Sequence, residues 1–101
     1  MRTLVTLKKS PIKAKKMTVV VVNKNGRKKT IHFGATGYSD YTIHKDPARR
    51  DRYDARHRSR ENWKDPMTAG FWAKWILWNK PTINASIRDT AKRFNLKISR
   101  G

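Results

Sequence analysis

Four arginines recur at near-helical spacing in the middle of this chain, and the chemistry they offer is phosphate binding. At 100° per residue, Arg49, Arg52, Arg56 and Arg60 fall within an arc of roughly 80°. A guanidinium fork matches two phosphate oxygens at once, so a stripe of such forks suits a polyanion. Asp51, Asp54 and Arg58 lie on the other side, where Asp54 and Arg58 are spaced as an i, i+4 ion pair. The competing account is an exposed helix laced with salt bridges. Seven basic residues from Lys45 to Arg60 outnumber the four acids from Asp46 to Glu61, so pairing cannot consume the stripe. The first 39 residues add ten basic side chains and no acid, Asp40 being the first carboxylate. From that segment Lys13, Lys15, Lys16, Arg27, Lys28 and Lys29 join the arginines as candidate phosphate contacts. The net charge is +18 on 101 residues. Mixed signs would keep a surface soluble with less self-repulsion, so the asymmetry points to a polyanionic partner, nucleic acid first and DNA ahead of RNA.

Two further segments could carry chemistry. In 32–46, HFGATGYSDYTIHKD, two glycines accompany Tyr38, Asp40, Tyr41, His32 and His44. Gly34 and Gly37 permit positive φ and close backbone approach. With His57, the set His32, Asp40 and His44 offers the donors of a metal-dependent nuclease, but its spacing matches no metal or catalytic signature. Hydrogen bonding to backbone or hydroxyl groups is the simpler role for these histidines. No cofactor, metal or small-molecule substrate is expected, and an enzyme is not. The other segment is GFWAKWILW (70–78), where Phe71, Trp72, Trp75 and Trp78 with Ile76 and Leu77 surround a helix and leave only Lys74 polar. A short helix apolar all round is a core element or an oligomer interface, here possible in a homodimer; base stacking is the lesser option. Nothing resembles base readout by a helix-turn-helix, a zinc finger or an RNP strand. The absence of cysteine excludes disulfides and thiolate sites.

The elements that must position these residues change period near residue 40. Residues 2–8 alternate, 17–22 (MTVVVV) are β-branched, and 27–33 return after Asn25-Gly26, a pair that favours a type I′ hairpin turn. SPIKAKK (10–16) reads as a basic loop, with Pro11 unable to donate to a ladder. Beyond residue 40 the signals are helical. Asp46-Pro47 caps and starts a helix over 47–61, and Pro66 breaks the chain after it. Thr68 caps a helix over 69–78. Thr82 caps one over 83–94 with Ile83, Ile87, Ala91 and Phe94 on one face, and Asn95 serves as a left-handed C-cap with Leu96 and Ile98 packing behind it. The expected architecture is α+β: an N-terminal antiparallel sheet of about three strands (2–8, 17–22, 27–33), then three helices (47–61, 69–78, 83–94). The whole chain, 1–101, reads as a single domain, with a basic β part (1–39) and a helical part (40–101). No apolar run approaches the ~20 residues of a membrane span, and the start MRTLVTLKKS is too charged for a signal peptide, so a soluble intracellular protein is the default expectation.

The wording HFG at 32–34, GYSDYT at 37–42, HKD at 44–46, AGFW at 69–72 and ILW at 76–78, with KSP at 9–11 ahead of Lys15-Lys16, resembles small basic uncharacterised proteins of large nucleocytoplasmic DNA viruses, the giant viruses and their relatives. The resemblance spans roughly residues 9–94 and brings no activity or site residues. It implies a viral protein made in infected host cytoplasm or reaching the nucleus, and packaged in the virion near the genome. Charge and resemblance together lead to an expectation of non-enzymatic, largely sequence-independent binding of viral DNA in packaging or genome organisation. The alternative is a virion structural or host-interaction protein that meets an acidic protein and self-associates through the Trp-rich helix.

Overall fold

A four-stranded sheet underlies the computed structural model, which describes residues 3–23 and 25–101. Arg2, expected to open the first strand, and Lys24, in the expected turn, lie outside the described residues. Strands β1 (Thr3–Lys9), β2 (Lys15–Val22) and β3 (Lys28–Ala35) form the expected antiparallel meander. Register pairs Val5 with Val21 and Val19 with Ile31, so period-2 alternation puts Val5, Leu7, Met17, Val19, Val21, Ile31 and Phe33 on one buried face. The ladders run past the apolar residues because the backbone keeps pairing: Ser10 N–H donates to the Lys16 carbonyl and Thr36 N–H to that of Ala14.

Two features of the sheet differ from expectation. A fourth strand, β4 (Leu96–Arg100), lies parallel to β1 and gives the order β3-β2-β1-β4. The sheet is therefore mixed, within the α+β class expected. The turn after β2 is also longer than a two-residue type I′ loop. Asn23 N–H donates to the Arg27 carbonyl, so the pairing closes outside Asn25-Gly26, and Gly26 has φ 79°. The Asn23 side chain secures it, since Oδ1 accepts from Asn25 and Arg27 N–H. A local side-chain acceptor competes here with the simpler turn.

The three expected helices start where the caps predict, and one short helix was not expected. A short helix, α1 (Tyr41–His44), begins at Asp40, whose carboxylate accepts from Thr42 N–H; Lys45 at φ 56° ends it. Helix α2 (Pro47–His57) is capped by Asp46. It stops at His57 rather than continuing to 61, because only Tyr53 is buried along it and the three residues after His57 pack on nothing that would hold another turn. Arg58, Ser59 and Arg60 form an exposed turn instead. Thr68 caps α3 (Ala69–Trp72), and Thr82 caps α4 (Ile83–Phe94), which ends at Asn95 with φ 54°. The expected helix over 69–78 is α-helical for only four residues and continues as a π-helical turn, Ala73–Leu77. The reason lies in the apolar spacing. Bonding to i+5 sets Ile76 over Phe71 and Leu77 over Trp72, and all four are buried. Thr90 of α4 donates to the Trp75 carbonyl, one of the last carbonyls of the segment, which find no partner within a helix. The helices cover one face of the sheet; on the opposite face Leu4, Thr6, Lys8, Lys28, Thr30 and Lys97 are exposed, while Thr18 at its middle is buried. Among the described residues no helix is long and apolar enough to cross a membrane.

Candidate nucleic-acid interface

The candidate cations divide into two groups. Lys13, Lys15 and Lys16 sit where β1 turns into β2, beside the end of β3: Lys15 pairs with Ala35, and Thr36 donates to the Lys13 carbonyl. Arg27, Lys28 and Lys29 sit at the far end of the same hairpin, roughly 23 Å away along an eight-residue strand. Arg27 and Lys28 are exposed there, while Lys29 reaches out to the Met67 carbonyl at 2.8 Å. The fold therefore separates two sets that look continuous in sequence.

Of the first group, Lys16 is the member that lines a cleft with α2. Lys16, Ala35 and Tyr38 share the walls of a cleft of about 450 Å³ with Arg49 and Arg56 of that helix. Helical periodicity explains why Arg49 and Arg56, seven residues apart, turn to the same side. Both are exposed, as is Arg52, and none of the three has a carboxylate within 4 Å among the described residues. Arg60 does not extend the stripe, since it lies in the turn beyond the helix end, its N–H bonded to the His57 carbonyl. Lys16 is no free cation either. Its ammonium donates to Asp40 at 2.6 Å and to the Tyr38 carbonyl, which ties the 34–40 loop to β2.

An aromatic column stands under the arginines. Trp78 stacks on Tyr53 with centroids 4.3 Å apart and rings 4° from parallel, and Tyr53 stacks on His57 at 4.2 Å. Burial, aided by Glu61 and Asp54, pushes the Tyr53 hydroxyl up to about 12. His44 tilts against Trp78, and its Nδ1 accepts from Asp46 N–H. His32 Nδ1 is hydrogen-bonded to Thr18 Oγ1 at 2.6 Å. The loop histidines and Asp40 thus have structural partners in different places. No group of three or more His, Asp or Glu able to hold a metal occurs among the described residues.

The Trp-rich segment belongs to the core. Phe71 and Trp72 are wholly buried, so they offer no surface to a second subunit, whereas Trp75 and Trp78 are half-buried. Trp72 Nε1 donates to the Pro66 carbonyl and Trp75 Nε1 to that of Trp63. Lys74 is buried between the rings of Trp63 and Trp75 and pairs with Asp54 at 3.0 Å. That contact replaces the expected Asp54–Arg58 pair, because a buried ammonium needs the carboxylate more than an exposed guanidinium does.

Arg49 and Arg56 of α2 thus share one cleft with Lys16 of β2 and with Tyr38. Residues 5–57, more than half of the chain, match the model of a family of unknown function, DUF5754. The chain belongs to that family. The matched span contains β2, β3, α1 and α2 entire and β1 from Val5 on, and with them Lys16, Tyr38, Arg49 and Arg56; the Trp-rich segment falls outside it. No curated protein and no solved structure matches the chain.

Sequence reasoning missed the cleft, the aromatic column and the Lys74–Asp54 pair. The i, i+4 spacing of Tyr53 and His57 was a signal for stacking on α2, but Trp78 reaches them only through tertiary packing.

Proposed function

We propose that this protein binds nucleic acid, DNA in the first place, largely without regard to sequence and without catalysis, through the face formed by Lys13, Lys15, Arg49, Arg52 and Arg56. The supporting observation is the exposed arginine row of α2, which has no acidic partner among the described residues, in a chain whose first 39 residues carry ten basic side chains and no acid. Counterion release then drives association, and the affinity falls steeply with salt. The resemblance to proteins of large DNA viruses gives the activity its setting, in the packaging or organisation of a viral genome within the virion or the infected cell.

A salt titration of binding to a random-sequence DNA duplex tests this, comparing wild type with Arg49→Glu/Arg52→Glu/Arg56→Glu once circular dichroism shows that the variant folds. A steep wild-type slope that flattens in the variant is expected. A slope near zero refutes the proposal. Binding to an acidic protein that persists in high salt at fixed stoichiometry would transfer the same face to a virion or host protein partner.

A further inference from the structure

We infer that the cleft between α2 and the 34–40 loop receives one unpaired nucleotide, with its flanking phosphates on Arg49 and Arg56 and its base against Tyr38; this rests on the nucleic-acid reading above and names the form of nucleic acid preferred. Three observations converge on it. The first is the cation spacing. Arg49 and Arg56 are two helical turns apart, about 10.5 Å along the axis, which suits two successive phosphates better than one shared phosphate. Both line the cleft, so the nucleoside between those phosphates lies over its opening.

The second is the shape and chemistry of the cleft. About 450 Å³ is the size of a site for a small organic molecule, not a groove for a duplex. Its inner wall is apolar and aromatic, with Leu77, Tyr53 and Trp78, and its rim is cationic. The carboxylate within it, Asp40, is 2 % exposed and held by Lys16 and Thr42, so it does not confront an incoming phosphate as a free charge.

The third is Tyr38. It is 74 % exposed, the most exposed large hydrophobic side chain described, and it stands at the cleft beside Gly37 at φ 91°. No other aromatic ring among the described residues stacks on it. An exposed ring next to free arginines is the pairing that holds bases of single strands, where every base presents a π-face; a base inside a duplex is already stacked and cannot enter.

The test compares a short oligothymidylate with a duplex of the same length by fluorescence anisotropy at matched salt, using wild type, Tyr38→Ala, Tyr38→Phe and Arg49→Ala/Arg56→Ala. Tyr38 makes no core contact, so its removal leaves the fold intact. The expected result is tighter binding of the single strand, lost about tenfold in Tyr38→Ala, kept in Tyr38→Phe, with duplex binding unchanged by either. Equal affinity for both forms, or Tyr38→Ala binding oligothymidylate like wild type, overturns the inference while leaving the charge-driven function standing. Absence of salt-dependent binding to either form overturns both.

Discussion

Replacing Arg49 and Arg56 with alanine together would change how binding to DNA responds to salt before it changes much else. Five exposed cations form the proposed face, so a full engagement gives a slope of log affinity against log salt of about −4.5. Between 50 and 200 mM salt that slope corresponds to a loss of about 500-fold. Without the two arginines the slope becomes about −2.7 and the loss about 40-fold. Neither side chain has an acidic partner among the described residues, so the substitutions leave nothing unpaired and folding stability should stay within about 0.5 kcal/mol.

Fluorescence anisotropy with a labelled duplex over that salt range measures both slopes. Each single substitution should contribute about 0.9, and the two should add, being about 10.5 Å apart along the helix. Curves for wild type and double variant that stay parallel would refute the reasoning, because a contact that releases no counterion is not a phosphate contact. Arg27→Ala/Lys28→Ala serves as the comparison from the far end of the hairpin. If that pair flattens the slope and the α2 pair does not, DNA lies on the other end of the sheet.

Four other outcomes follow from particular contacts. Lys16→Met should destabilise the fold by about 2–3 kcal/mol in urea unfolding, since it strands the buried Asp40, yet change the salt slope by little. Tyr53 ionises in the unfolded chain near its ordinary 10.0 and in the folded chain only near 12, so the unfolded state gains from pH 10 to 12. Stability should fall across that window by about 2–3 kcal/mol relative to Tyr53→Phe, and unfolding curves of both at each pH check it. Gly34→Ala should cost about 2–4 kcal/mol, from a φ of 78° and a new Cβ 2.7 Å from Leu77 Cδ1; Gly37→Ala, with φ 91° and open space around it, should cost only about 1 kcal/mol, and chemical denaturation of the two separates strain from clash. Burial alone would raise the Asp89 carboxyl, but the hydrogen bond from Asn79 and the neighbouring Arg93 outweigh it and hold the group below its usual range. Its contribution is present above the unfolded carboxylate range and is lost as pH falls through the lower folded value, so Asp89→Asn should flatten the acid limb of a stability–pH curve slightly.

What the sequence made legible was whatever is written locally. Asp46, Thr68, Thr82 and Asn95 are caps whose chemistry needs only neighbours in the chain, and the helix boundaries they predict are observed. Alternation in the strands likewise announced which face of β1 and β3 is buried. Illegible were the features set by distant partners. Nothing near Leu96 says that β1 is waiting beside it, although the alternation of Leu96 and Ile98 after a left-handed cap was a signal for a strand. The π turn depends on how Ile76 and Leu77 meet the sheet, and α2 ends where packing ends, not where its sequence stops favouring helix. Arg60 left the stripe for that reason, and Lys16 left the list of free cations because Asp40 lies 24 positions away in sequence but within 2.6 Å in space.

The distribution of acids explains why so basic a chain can fold and still present charge. Asp40 and Asp54 each hold a lysine that is largely buried, Lys16 and Lys74. Asp46 caps α2, Asp65 accepts from Met67 N–H, and Asp89 binds Asn79 and Arg93. Glu61 lies so close against Gly70 that a Cβ there would meet its carboxylate. Asp51 is left on the surface, and its neighbour is Arg50, 3.6 Å away, not a member of the stripe. With six of the seven carboxylates occupied in building the structure, the cations that remain unpaired are those on its outside, and Arg49, Arg52 and Arg56 stand where no acid reaches them. Self-repulsion at that face is a standing cost to folding that a polyanion would relieve on binding. The proposed binding face is therefore set by where the few acids are spent.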